Sequence, residues 1–170
     1  MKILCRSLLV LCAYAFSVGV VFSATPATVM TVPNLRGDSP SCAVSLPINQ
    51  EQCTTEGCTL PLPKRSTLES LQIRFSCLSL GTLTGFERPA PGAKIEGVRA
   101  RNAMASVLLV DDLESAPEER KREMIFCIYG TQNVFCGDAY VLRLKDGAKG
   151  DATPTLKKFI KGIEFQSPLP

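Results

Sequence analysis

Residues 124–144 read MIFCIYGTQNVFCGDAYVLRL, the densest run of β-branched, aromatic and long apolar residues outside the N-terminus. Gly130-Thr131-Gln132-Asn133 interrupts it once. Two strand-like runs around a short Gly/Asn-containing break predict a β-hairpin. With Thr131 and Gln132 as a two-residue loop, Gly130 faces Asn133, and counting outward sets Cys127 opposite Cys136. Hydrogen-bonded and non-hydrogen-bonded pairs alternate along an antiparallel ladder, which puts the two cysteines on a non-hydrogen-bonded pair. Cα atoms there lie roughly 4.5 Å apart, at the short end of what a disulfide spans. Register and disulfide therefore support each other. Phe126, Ile128, Phe135 and Val141 fall on one face of the hairpin and Ile125, Tyr129, Tyr140 and Leu142 on the other. A hairpin apolar on both faces is expected to be buried on both.

The remaining cysteines set the compartment. Lys2 and Arg6 precede an apolar run from Leu8 to Phe22, with small residues at Ser23 and Ala24, the pattern of a signal peptide over residues 1–23. The run is about 15 residues, short of the roughly 20 that a spanning helix needs. A lipid anchor on Cys12 would have only Leu8–Leu11 before it. No later stretch is apolar enough to cross a bilayer, so no transmembrane segment is expected after signal removal. Of the 8 cysteines, Cys5 and Cys12 leave with the signal, and Cys42, Cys53, Cys58, Cys77, Cys127 and Cys136 remain. An even count in an exported chain predicts disulfides and a periplasmic or secreted location. Pairing Cys53 with Cys58 and Cys127 with Cys136 leaves Cys42 for Cys77; Cys42–Cys58 with Cys53–Cys77 is the alternative. No C-x-x-C spacing and no histidine occurs, so neither a zinc site nor a redox-active pair is expected.

Outward from the hairpin, the chain reads as one domain over residues 42–165, after an extended lead-in at 24–41 and before a tail at 166–170. The lead-in carries an edge strand at Val29–Val32, and a first strand runs from Cys42 towards Pro47. The loop Cys53-Thr-Thr-Glu-Gly-Cys58 is stapled on itself. Within residues 67–80, Leu71, Ile73, Phe75 and Cys77 alternate with Gln72, Arg74 and Ser76, a strand with one wet face. Strands are also predicted at 94–101 and 103–110. Ser115-Ala-Pro-Glu118 fits a helix start with Ser115 as N-cap, leading into one exposed helical turn or a hairpin loop. Thr153-Pro154 opens a short helix with Leu156, Phe159, Ile160 and Ile163 on one side and Lys157, Lys158 and Lys161 on the other. Gly162 suits a left-handed C-terminal cap, followed by a last extended segment through Phe165.

The chemistry is set largely by what is missing. Without histidine, Ser-His-Asp and Cys-His arrangements are impossible. No G-x-S-x-G, S-x-x-K or phosphate-cradling glycine motif occurs, so no cofactor is expected. Removal of Lys2 and Arg6 takes 19 basic residues to 17 against 16 acidic, a net charge of about +1, which argues against nucleic acid. Asp111, Asp112 and Glu114 read as a solvated turn, or as the acids of a carboxylate-only hydrolase. Asp138 sits in an apolar strand where burial demands a partner; an edge position or a bulge at Gly137 would supply one. The lysines of the C-terminal helix, with Arg143 and Lys145, would meet an acidic partner or anionic lipid, or simply face water. Gly81–Ala93 is a long Gly/Pro-rich connection with Phe86, Glu87 and Arg88 at its centre, the candidate partner-binding residues.

These readings converge on an α+β fold: a mostly antiparallel sheet, a short C-terminal amphipathic helix packed on one face, and three disulfides. An all-β sandwich is the alternative. The expected function is a non-catalytic protein-binding domain of inhibitor or immunity type, with another protein as partner. A carboxylate-dependent hydrolase using Asp111, Asp112 or Asp138, and a structural subunit of an envelope assembly, are the competing expectations.

Overall fold

A computed structural model describes residues 27–34, 36–37, 40–64, 66–82 and 93–166. Among these, β1 (Thr28–Val32), β2 (Cys42–Leu46), β3 (Cys53–Thr54), β4 (Gly57–Pro61), β5 (Ser70–Ser79), β6 (Lys94–Arg99), β7 (Met104–Asp111), β8 (Lys121–Tyr129) and β9 (Asn133–Arg143) precede helix α1 (Thr153–Gly162) and β10 (Glu164–Phe165). The class is α+β. Seven strands form one antiparallel sheet in the order β3-β4-β5-β9-β8-β7-β6, and β1-β2-β10 form a second. The sequence pattern does not anticipate this second sheet, because its outer strands belong to the lead-in and to the last extended segment.

The hairpin β8–β9 lies at the middle of the large sheet, with Cys127 opposite Cys136 and the Gly130 N–H donating to the Asn133 carbonyl at 2.9 Å. Neither Thr131 nor Gln132 has a positive φ, so the loop is not of the primed types that usually close two-residue hairpins. Side chains hold it instead. The Asn133 amide donates to the carbonyls of Pro40 and Ser41, both at 3.0 Å.

The three cysteine pairs are Cys42–Cys77, Cys53–Cys58 and Cys127–Cys136, with Cα separations of 5.6, 4.1 and 4.1 Å. The first ties β2 to β5 and so clamps the small sheet onto the large one. The other two lie across antiparallel pairs, β3–β4 and β8–β9.

One core fills the space between the sheets. Val44 and Leu46 of the small sheet meet Leu71, Ile73, Phe126 and Phe135 of the large one, with Leu156, Phe159, Ile160 and Ile163 closing it from the helix side. Phe135 packs on Phe75, ring centroids 4.9 Å apart. Both covering layers lie on the same, inner face. The outer face of the hairpin is therefore only partly covered: Tyr140 is exposed and Ile125 and Tyr129 half-buried, against the expectation of burial on both faces.

A bulge corrects a second expectation. The register slips where Arg122 faces Leu142 and Glu123 faces Tyr140, leaving Val141 as the extra residue; Gly137 is in register, opposite Phe126. One inserted residue reverses the alternation, so Val141 and Leu142 both turn inward and both are buried. Leu142 thus leaves the outer face to which strict alternation assigns it. The freed Val141 carbonyl accepts the Ala152 N–H at 2.8 Å, and Asp151 Oδ1 accepts the Thr153 N–H at 2.8 Å, which seats the start of α1.

Two further readings are overturned. No helix follows Ser115, and the hairpin-loop alternative holds: β7 and β8 form a hairpin whose loop closes through Asp112 N–H to the Lys121 carbonyl at 2.8 Å, and Asp112 Oδ1 accepts the N–H groups of Glu114 and Ser115, both at 3.1 Å. An aspartate that binds N–H groups of its own loop in this way favours a turn over a helix start. Gly162 lies inside α1 without a positive φ, and Ile163 ends the helix in an extended conformation. Glycine is needed there for closeness, since a Cβ would stand 2.7 Å from Pro47 Cβ and Cγ.

Two stability predictions follow from this packing. Removing the Cys42–Cys77 bridge, which spans 35 residues, by double alanine substitution should cost about 1.6 kcal/mol more than removing Cys53–Cys58, which spans 5, as read from urea midpoints. At Gly137 a Cβ would sit 2.5 Å from Phe126 Cζ. Gly137→Ala should therefore destabilise by about 1–3 kcal/mol, whereas Gly81→Ala, with open space around it, should change stability by less than about 0.5 kcal/mol.

Candidate functional site

The outer face of the seven-stranded sheet carries the exposed groups. Directly paired residues of neighbouring strands share a face, so the register lays out rows across it. One row runs Arg74, Asp138, Ile125, Leu108, Ile95; the next runs Ser76, Cys136, Cys127, Ser106, Gly97; Met104 pairs with Arg99 at the far edge. Cys127, Cys136 and Val134 form a buried patch with Leu78 and Tyr129 against it. Towards the edge the face opens, with Ile95 at 46 %, Met104 at 59 % and, on β9, Tyr140 at 51 % exposure.

The charged groups on this face are mutually engaged. Arg74 Nε donates to Asp138 Oδ2 at 2.8 Å, its terminal nitrogen reaches the same oxygen, and Glu123 lies 3.6 Å from that nitrogen. Asp138 is thus on a central strand with an ion-pair partner, neither at an edge nor beside a bulge. Burial, then the charge of Asp138, pushes the Glu123 carboxyl above the usual carboxylate range, and Arg74 opposes the shift. Lys121 Nζ stands 5.0 Å from the Tyr140 ring centroid, a cation–π contact.

The acids of the β7–β8 loop are similarly committed. Arg122 grips Asp111 with two bonds, Nε to Oδ1 at 2.6 Å and a terminal nitrogen to Oδ2 at 2.9 Å, which holds the Asp111 carboxyl below its usual range. Hydrogen bonds from Ser115, then Glu114, do the same for Asp112. On the inner side of β6, Glu96 is held between Lys94, at 2.7 Å, and Lys157 of α1. The two lysines bring its carboxyl down to about 2. Lys157 is thereby an ion-pair partner, while Lys158 and Lys161 face water as the helical pattern predicts.

A cleft of about 280 Å³ lies between the β8–β9 turn and β10, bordered by Asn102, Gly130, Asn133 and Phe165. Its amides already have partners: Asn102 Nδ2 donates to the Phe165 carbonyl at 2.7 Å, and Asn102 Oδ1 accepts the Phe165 N–H at 2.9 Å. Among the described residues no group of three or more His, Cys, Asp or Glu could hold a metal ion, and no helix is long and apolar enough to cross a membrane.

Phe86, Glu87 and Arg88, the candidate partner-binding residues, lie outside the described residues, as does the signal segment 1–23. The disulfide cysteines are paired as the local reading expects, and these three bridges are consistent with an oxidising, exported environment. Sequence reasoning missed Ile95, Met104, Glu96 and Glu123. Ile95 and Met104 look like ordinary strand residues, and only the sheet order, which makes β6 an edge, reveals their exposure. Comparison of the chain with protein-family models, curated proteins and solved structures finds no match.

The Glu96 cluster makes a pH prediction. Its folded pKa of about 2 lies below the ordinary glutamate value of 4.5, so the ionised carboxylate stabilises the folded state above that value and the contribution fades as pH falls towards 2. Glu96→Gln should cost up to about 1 kcal/mol at pH 7, and its urea midpoint should converge with that of the wild type near pH 2.

Proposed function

We propose that this chain is an exported, non-catalytic protein-binding domain of inhibitor or immunity type, acting in the periplasm or outside the cell. The observation that carries the reading is that three large apolar side chains on the outer face of a braced sheet, Ile95, Met104 and Tyr140, are left in water. Exposed apolar residues on a rigid strand lose little conformational entropy on docking, which is what a preorganised protein contact requires. The acids that a carboxylate hydrolase would use support the same reading from the other side. Asp111 and Asp138 are bound by arginines, and Asp112 by main-chain N–H groups of its own loop.

The test is affinity capture from an envelope extract with the oxidised, signal-free protein as bait, followed by titration of the purified partner. Ile95→Ser with Met104→Ser, both at exposed positions, should leave the urea midpoint nearly unchanged and weaken the complex by about tenfold or more. Undiminished binding by that double variant, or hydrolysis of an extract component that Asp138→Asn abolishes, would overturn the proposal.

A further inference from the structure

Among the described residues the outer edge of β6, a strand of six residues, is unpaired, and the hydrogen-bond alternation of the sheet identifies which main-chain groups it offers. Gly130 and Asn133 form a hydrogen-bonded pair, so Cys127 and Cys136, three pairs further along, do not. The N–H and C=O of Cys127 therefore turn to Ser106 on β7, and those of Ser106 turn back to Cys127. Gly97, opposite Ser106, is left in a non-hydrogen-bonded pair with its N–H and C=O directed away from the sheet. Ile95 and Arg99 share that direction. The next residue of the same parity, Arg101, already uses its N–H on the Ile163 carbonyl at 3.0 Å, which marks where the open edge ends. No described strand lies beyond β6.

The side chains along this edge select the occupant. Lys94 and Arg101 are 71 % and 65 % exposed, Arg99 is exposed, and Lys157, Lys158 and Lys161 follow on the adjoining helix. Glu96 is neutralised by two lysines and Glu164 is 3.4 Å from Arg101. A Cβ at Gly97 would meet nothing within 4 Å among the described residues, so the outer face at the middle of the edge is uncrowded. Lysine and arginine on an edge strand discourage pairing between copies. An antiparallel self-pair centred on Gly97 would set Ile95 against Arg99 and gather Lys94, Arg99 and Arg101 of both copies along one seam. The same charges are complementary to carboxylates.

We infer that the free edge of β6 takes an extended acidic segment of a protein partner, adding a strand to the seven-stranded sheet through the main-chain groups of Ile95, Gly97 and Arg99. This rests on the protein-binding reading and names its surface and partner chemistry. Main-chain bonds supply the register of such an added strand, and flanking side chains its selectivity. Here Ile95 presents an apolar contact on the outer face, and Lys94 on the inner face and Arg99 on the outer supply the positive charge that a carboxylate-bearing strand would meet.

The experiment uses the oxidised, signal-free chain labelled with ¹⁵N and two synthetic heptapeptides, one alternating Val and Glu, the other Val and Lys. The Val/Glu peptide should shift the amide signals of Ile95, Gly97 and Arg99 and slow their exchange, while the Val/Lys peptide should leave them unchanged. Its affinity should fall with added salt. Lys94→Glu with Arg99→Glu should weaken binding of the Val/Glu peptide by about tenfold and admit the Val/Lys peptide, with the remaining signals unmoved. Binding that shifts other residues, no binding at millimolar peptide, or concentration-dependent protection of these amides without peptide would each overturn the inference, the last by placing a second copy at the edge. A partner captured from extract that binds through Tyr140 or another surface would leave the protein-binding reading standing without this edge.

Discussion

The Cys127–Cys136 pair, seated on a non-hydrogen-bonded site of the β8–β9 hairpin, is the constraint on which the large sheet depends. Side-chain direction and hydrogen-bond direction in a strand are coupled, so one pinned pair propagates a parity through every neighbour. From that pair follow the inner assignment of Phe126 and Phe135, the outer assignment of Asp138 and Tyr140, and the outward direction of the Gly97 main chain on β6. A slip of one residue between β8 and β9 would exchange the core for the surface. The disulfide, closed across strands with Cα atoms 4.1 Å apart, forbids it.

Parity is then deliberately broken once. Val141 is inserted opposite the Arg122–Glu123 step, and the consequence is both local and global. Locally, two consecutive apolar residues turn inward. Globally, the unpaired carbonyl of Val141 binds Ala152 and sets the entry of α1, whose stripe of Leu156, Phe159 and Ile160 then lands on the inner face beside the small sheet. With helix and second sheet on one side, cover of the outer face is left incomplete, and its apolar side chains at the β6–β7 corner stay in water.

The charge distribution divides along the same line. Acids near the middle of the molecule are consumed by arginines or by main-chain donors, and their carboxyls are bound as structure. Basic residues gather at the β6 and α1 side, where Glu96 joins the edge strand to the helix through Lys157. That junction turns two separate features of the chain, a modest strand and a lysine-bearing helix face, into one basic surface beside an open strand edge.

Much of this was legible in the residues. Cys127 opposite Cys136, the alternation of Leu71, Ile73, Phe75 and Cys77, and the helical spacing of Leu156, Phe159 and Ile160 are local patterns whose periods of two and 3.6 are properties of the chain itself. The three bridges, too, follow from an even cysteine count, and they are consistent with an oxidising, exported environment. What the residues alone did not decide was every feature that depends on a distant partner. Val141 looks like any alternating strand residue until Arg122 and Glu123 pair with Leu142 and Tyr140 and leave it unmatched. Gly162 resembles a cap until Pro47 presses against it, and Ser115 resembles an N-cap until Asp112 binds the Glu114 and Ser115 N–H groups and β7 and β8 close as a hairpin. Strand order is the largest of these decisions. Ile95 and Met104 become exposed, and Gly97 offers its main chain, only because β6 ends the sheet, a fact set by long-range pairing that no window of sequence contains.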